Sequence, residues 1–575
     1  MKFNTGISTV VFWGAGATAK LGMATTSCQN KVFLALSQKE PVMSYRDCLQ
    51  KTSNVFGDCL DDVCDLLTLL DDDVAGTEKY ACGYRISGFS SRQLDIISKH
   101  EKDLGEDDEK RRNRVIMMRL RYDWAAVMRI LRLQRFNVDE NGEPSKTFTQ
   151  AIYNLIDANV SDGTGIHVFE DQDLVLSNFL DPVRLRYAKA ALVMFINLMF
   201  AAAWAKKRRG KVLQDYMRFG KLLAEIRAKE ARDTIRDGVV DPVFKTSFVS
   251  MNFDPTLWWV LKNADSKYNK TPIHVGRDNA PLYLGEDVDQ VDAVRPFMSK
   301  RPSEVADDVL PEQVARFVNE RCDSVNERCL ARYQTVKIFF PHGSPNLKIC
   351  PCCGKTTLYQ GNELSISSES LYPPFFFKNL AWGCSPVGAL RGKGDSYAEN
   401  KKWDEGELDN IQCRHCGRSI RMCDTEMIMQ SGLKMPSSYL LQRISHNVDN
   451  AVMGANHIVL MGYSIPPDDG AKVAELQART THESHDGSVY CSVMCLVKDA
   501  PHGWLYADEL EAFIKAHQDE EGIIPILNAR RIFGSQKVRA NMTGIPDVFE
   551  SEDAIREMLY PSTWNGIPMK TPVDL

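Results

Sequence analysis

The sequence predicts an α/β protein: a Rossmann-like parallel sheet with helices on both faces, a large helical insertion and a small zinc-binding module. Three observations carry that prediction. Four short apolar runs, at 10–13, 244–250, 336–340 and 457–461, each end in small or polar residues. Continuous β-branched and aromatic runs of this length suit strands buried on both faces of a parallel sheet. Residues 111–235 follow a helical pattern, and two CxxC knuckles stand at Cys350/Cys353 and Cys413/Cys416.

The first strand runs into Gly14-Ala15-Gly16-Ala17-Thr18. Glycines after a strand allow a tight turn and let N–H groups approach a pyrophosphate at a helix N-terminus. The third glycine of the dinucleotide fingerprint is replaced by Ala19, and the next glycine is Gly22. Alone, the segment fits a structural turn as well as a nucleotide site. Residues 55–110 are acidic and uneven, and read as short helices mixed with exposed loop. Within the helical insertion, AALVMFINLMFAAAWA at 190–205 spans 16 residues and contains Asn197. A bilayer span needs about 20 residues, so a buried core helix is expected, with Lys206–Arg209 suiting its C-terminus.

The second strand leads into Met251-Asn252-Phe253-Asp254, which in isolation reads as a turn or helix cap. The third leads into Pro341-His342-Gly343-Ser344. A single histidine is usually a satisfied surface or core group. At a strand end beside glycine and serine, His342 becomes a general-base candidate, since imidazole titrates near neutral pH. The fourth leads into Gly462-Tyr463-Ser464, and 489–497 offers a fifth strand. Parallel sheets bind ligands outside the carboxyl ends of their strands, so all four polar clusters can converge on one site. Irregular excursions cover 262–335 and the stretch between Cys353 and Cys413. Residues 499–575 complete the sheet and add a tail.

Composition narrows the function. The 575 residues carry a net charge of −6, with 44% hydrophobic and 25% charged residues. These values allow a sizeable core and exclude wholesale disorder. An acidic chain of pI near 6.1 lacks the concentrated positive charge of a nucleic-acid coat, so direct nucleic-acid binding is not expected. Sixteen cysteines are too few for a disulfide scaffold. The N-terminal segment has no cleavage site of a secretory leader, and a cytoplasmic, reducing setting without membrane attachment is expected. Two CxxC pairs supply the four thiolates of a tetrahedral structural zinc; four unrelated thiols are the alternative. The sixty residues from Cys353 to Cys413 exceed the usual 15 to 20, which implies an inserted loop, and Cys352 sits at the wrong spacing from Cys350 to form a knuckle.

Read in order, GAGAT, NFD, HGS, CxxC…CxxC and GYS resemble the sirtuin family between Val10 and about Asp469. That resemblance implies a Rossmann-like NAD domain with a zinc module. The N–H groups of Gly14, Ala15, Gly16, Ala17 and Thr18 would hold the phosphates. Asn252 would orient a ribose hydroxyl or the attacking water, and Asp254 would lie near the nicotinamide carboxamide. His342 would accept a proton, Gly462 and Ser464 would line the adenosine side, and Cys350, Cys353, Cys413 and Cys416 would bind zinc. The chain departs from the protein deacylases: Gly22-Met23-Ala24-Thr25-Thr26 replaces their proline-aspartate-phenylalanine-arginine stretch, Met251 replaces a glutamine, and no peptide-binding strand follows Cys416. GAGAT, NFD, HGS and GYSIPPDD look like the sirtuin-like effectors of bacterial antiviral defence, which hydrolyse NAD.

The resemblance therefore implies an NAD glycohydrolase releasing nicotinamide and ADP-ribose, with a sirtuin-type deacylase or ADP-ribosyltransferase, or a silent NAD-binding regulatory protein, as alternatives. An NAD-depleting effector needs an off state, and no sensor domain is recognisable. Control would come from homo-oligomerisation or a partner such as a HerA-like ATPase, with the insertion's basic clusters as assembly contacts or as plain solvated helix ends. The expected organisation is a Rossmann start at 1–54, an insertion at 55–240, a Rossmann continuation at 241–345, a zinc module at 346–425 and a Rossmann completion with tail at 426–575.

Overall fold

The computed structural model describes, apart from single positions, residues 9–71, 88–99, 122–168, 179–207, 211–236, 246–260, 336–349, 424–428, 439–481 and 488–565, with short segments between them. Eight strands form the main sheet: β1 (Thr9–Trp13), β2 (Thr246–Ser250), β3 (Leu282–Tyr283), β4 (Val336–Phe339), β5 (His457–Met461), β6 (Tyr490–Met494), β7 (Leu505–Tyr506) and β8 (Val538–Asn541). Their order is β7-β8-β6-β5-β1-β2-β4-β3. Seven run parallel; β7 alone pairs antiparallel, with β8.

The register lines up the carboxyl ends. Trp13 lies level with Ser250 on one side and Met461 on the other, and Met461 lies level with Met494. Every residue of β1, β2 and β5 is buried, as expected of strands covered on both sides. From β1 the chain builds outward through β2, β3 and β4, then returns to the other flank at β5. The order of strands therefore reverses between β1 and β5, and ligand crevices of open α/β sheets form at such points.

Helices flank the sheet. In the insertion, the principal ones are α1 (Phe148–Ser161), α2 (Pro182–Lys207) and α3 (Lys211–Arg236), joined by shorter helices such as Trp124–Leu133. Helix α2 contains the 16-residue apolar run, and it is buried because other helices surround it. Phe195 packs against Phe33, Phe56 and Trp124, with ring centroids 5.2–6.0 Å away. The buried Asn197 amide donates to the Val193 carbonyl at 2.8 Å, which satisfies one polar group inside this apolar surround. Among the described residues no helix is long and apolar enough to cross a membrane. Helix α3 reaches the sheet itself: Trp13 stacks on Phe219 at 6.0 Å and meets the Tyr216 ring edge-on at 6.2 Å. One continuous core runs from Val10 through the insertion to Tyr560.

The opposite end of the sheet is held by a buried polar network. Arg539 Nε donates to Ser492 Oγ at 2.8 Å, and the same hydroxyl lies 2.8 Å from His457 Nε2. The Arg539 guanidinium pairs with Glu557 and lies 4.0 Å over the Trp504 ring. Burial, reinforced by the Arg539 charge, pushes His457 down to about 3.

A small antiparallel sheet follows His342. Its central strand, Gly343–Ile349, pairs with Thr356–Leu358 on one edge and Asp424–Met427 on the other. Ile349 faces both Thr356 and Asp424. Cys350, Cys353, Cys413 and Cys416 lie outside the described residues, as do most of 262–335 and 359–423.

Candidate functional site at the carboxyl ends of four strands

The glycine segment after β1 is shaped by direct backbone contact with the segment after β5. Gly14 N donates to Met461 O and Gly16 N to Gly462 O, both at 2.9 Å. A Cβ on Gly14 would stand 2.5 Å from Gly462 O, and one on Gly462 would stand 2.1 Å from Ala17 N. Gly462 also has φ +59, which an L side chain rarely adopts. The glycines of both motifs are therefore required by the packing of one turn on the other.

The same geometry gives most N–H groups of the expected phosphate cradle a backbone partner. No α-helix starts at the glycines. The chain makes two 3-10 turns, Ala15–Ala17 and Ala19–Leu21, ends them on Gly22 at φ +79, and starts a helix only at Thr26. Three-residue turns align too few peptide dipoles to build a helix-type field. Four of the five N–H groups expected to face phosphate are engaged by carbonyls: Gly14 and Gly16 as above, Ala17 with Gly14 O at 2.9 Å and Thr18 with Ala15 O at 3.3 Å. Ala15 supplies the fifth, and Ala15 and Gly16 are the exposed residues of the segment.

Asn252 and Asp254 both reach this segment from the end of β2. The buried Asn252 amide donates to Gly14 O at 2.9 Å and to Thr18 Oγ1 at 3.3 Å. Thr18 Oγ1 donates to Asp254 Oδ2 at 3.2 Å, and Thr256 N donates to Asp254 Oδ1 at 3.2 Å. Burial raises the Asp254 carboxyl above its usual range, against the lowering effect of hydrogen bonds from Thr256, Thr18 and Asn252. From the insertion, the Tyr216 hydroxyl donates to Ala17 O, so α3 clasps the turn from a third direction.

His342 stands at the end of β4, where Gly343 takes φ +75 and turns the chain into the small sheet. Its Nδ1 lies 3.3 Å from Met251 O, and the Phe253 ring lies 6.2 Å away. Its Nε2 lies 3.5 Å from Asp469 Oδ1, with the two side chains 12% and 4% exposed. The Tyr463 hydroxyl donates to the other Asp469 oxygen at 2.6 Å. Ser464 is half-buried, and its carbonyl accepts from Asn528 Nδ2 at 2.9 Å. The next residue, Ile465, is buried at φ +51, a strained position for a β-branched side chain.

The four predicted clusters thus meet: Gly14–Thr18, Asn252 with Asp254, His342, and Gly462–Ser464 contact one another in sequence across neighbouring strands. Three residues without an expected role join them, Tyr216, Tyr463 and Asp469. Tyr463 and Asp469 lie in the GYSIPPDD segment after β5, where a strand-end position marked them as available to the site. Tyr216 carries no comparable signal, being one aromatic on a long helix. Among the described residues no group of three or more histidine, cysteine or acidic side chains is placed to hold a metal. No protein-family model matches the chain, and comparison with curated proteins finds no relative.

Proposed function

We propose that the chain is an NAD glycohydrolase that cleaves the nicotinamide–ribose bond to give nicotinamide and ADP-ribose. The observation that carries this reading is that Asn252, held on the Gly14–Thr18 turn, and His342, beside Met251 O, gather at the carboxyl ends of neighbouring strands where the strand order reverses. Nicotinamide departs readily because its ring nitrogen is positively charged, so the protein has chiefly to grip, orient and exclude. Ala15 N–H, on the exposed turn of Ala15 and Gly16, would meet the pyrophosphate. Asn252 is fixed by Gly14 and Thr18 beside the attacking position, and Asp254 braces the same turn. His342, at the crevice rim, accepts the proton of the ribose hydroxyl or water, a contribution of about 10² to 10⁴ in rate. The buried Ser344 hydroxyl has no hydrogen-bond partner among the described residues, which suits a site completed by a polar ligand.

Zinc would be held by Cys350, Cys353, Cys413 and Cys416 as a structural ion. In support, Ile349 and Thr356, which bracket the first knuckle, are paired to each other, and Asp424, shortly after the second, pairs with Ile349 as well. An NAD-depleting role in bacterial antiviral defence, and control by homo-oligomerisation or a HerA-like ATPase, extend the same reading. A silent NAD-binding protein is the second reading, favoured by the commitment of the Asn252 and Asp254 side chains to the glycine turn.

The test is nicotinamide release from NAD, followed by chromatography with and without an acetylated peptide. Wild-type protein releases nicotinamide and ADP-ribose without peptide, and His342→Ala and Asn252→Ala each lose at least about 100-fold. Full turnover by both variants would overturn the assignment of residues. NAD bound but never consumed would establish the silent reading.

A further inference from the structure

We propose that Asp469 is a positioning residue for His342: it fixes the imidazole and holds its protonated form, and Tyr463 anchors it. The proposal deepens the reading of His342 as proton acceptor and rests on it.

The geometry is a chain of three side chains. Tyr463 is buried and stacked on Phe12 of β1, with centroids 5.8 Å apart and planes inclined by 13°, so its hydroxyl has a fixed position. That hydroxyl donates to Asp469 Oδ2 at 2.6 Å, leaving Oδ1 toward His342 Nε2 at 3.5 Å. The backbone holds Asp469 as well: its N–H donates to Pro466 O at 2.9 Å in a turn that follows the strained Ile465, itself gripped by Asn528. On the other side of the ring, Met251 O lies 3.3 Å from Nδ1. A neutral imidazole that donates its Nδ1–H to Met251 O presents Nε2 as the base. When Nε2 takes a proton from the attacking hydroxyl, the positive ring faces a carboxylate across 3.5 Å in a largely water-free setting. An opposite charge at that range favours the charged form. The electron pair of Nε2 forms the new N–H bond, and the substrate oxygen keeps the pair of its broken O–H bond. Among the described residues, the titratable groups with a stated contact in this chain are Asp469, beside the ring, and Tyr463, which anchors it; Asp254, on the β2 side, is engaged by Thr18 and Thr256.

The experiment uses the full chain with 13C-labelled histidine, and follows the His342 ring by NMR as pH is varied, its signal identified by loss in His342→Ala. Asp469→Asn lowers the His342 midpoint by about one unit or more, a tenfold weaker hold on the proton, and Tyr463→Phe lowers it less. Nicotinamide release is measured in parallel. In Asp469→Asn, kcat falls about 10- to 100-fold, KM for NAD changes less than about threefold, and the acidic limb of the rate profile moves to lower pH. Asp469→Glu restores part of the midpoint. An unchanged midpoint in Asp469→Asn overturns the proposal whatever the enzyme does. A shifted midpoint in a wild-type protein that leaves NAD intact upholds the pair and removes the NAD reading instead.

Discussion

Gly462 shows how one atom can decide whether a turn forms. Its φ of +59 and the 2.1 Å approach of an added Cβ to Ala17 N penalise any side chain twice, in its own backbone and in its neighbour's. Gly142 isolates the first penalty, with φ +75 and nothing within 4 Å of its added Cβ. Gly142→Ala is therefore expected to cost about 1 kcal/mol. Gly462→Ala is expected to cost at least about 3 kcal/mol, because the Gly14–Thr18 turn must move as well. Urea unfolding of both variants checks the difference, and equal losses would show that the contact between the turns is soft. Much of this was legible in the sequence: glycines at strand ends mark close approach. Which backbone they approach was not, since Gly14 and Gly462 meet only through the pairing of β1 with β5. A phosphate-binding motif and a packing motif use the same glycines, and composition alone does not separate them.

At the scale of elements, apolar runs announced the strands well, because a strand covered on both faces has no alternation to obscure it. Strand β5 falls at 457–461 and β1 at 9–13, within a residue of the apolar runs. The insertion was legible as helices, but its purpose was not. Tyr216 and Phe219 face the sheet through a geometry set by where α3 enters, and the Trp13 ring they meet lies about 200 residues earlier in the chain. The polar end of β5 was equally hidden, since His457 is only the first residue of an apolar run. Its neighbours Ser492 and Arg539 make it a buried neutral group, pushed down to about 3 where an unfolded chain titrates near 6.5. Between those values the unfolded chain binds more protons than the folded one. Stability is accordingly expected to fall as pH drops from about 6.5 toward 3. His457→Asn should flatten that slope, as read from urea midpoints between pH 7 and 4.5. An identical slope in the variant would assign the acid sensitivity to other groups.

At the scale of the molecule, one core joins the insertion to the sheet, and the small sheet hangs from the residue after His342. A zinc ion at the far end of that sheet would stiffen the strand that carries His342 away from the crevice. Metal analysis of purified protein should find about one zinc per chain, and Cys353→Ser should lose it together with stability. A metal-free chain of unchanged stability would leave the four cysteines as ordinary thiols.

The place of β1 has a consequence for the birth of the protein. Thr9–Trp13 is made before the other strands of the sheet and is entirely apolar apart from Thr9, yet it ends in the middle of the sheet. Its partner on one flank, β2, begins at Thr246, and Thr9 meets His457 on the other flank across 448 positions of sequence. Until the roughly 450 residues that separate it from β5 have emerged, the central strand has an unfilled edge. Such non-local pairing makes folding slow and leaves sticky intermediates in reach of one another. This central strand thus waits long for its second neighbour, and its safe passage falls to whatever shelters a nascent chain.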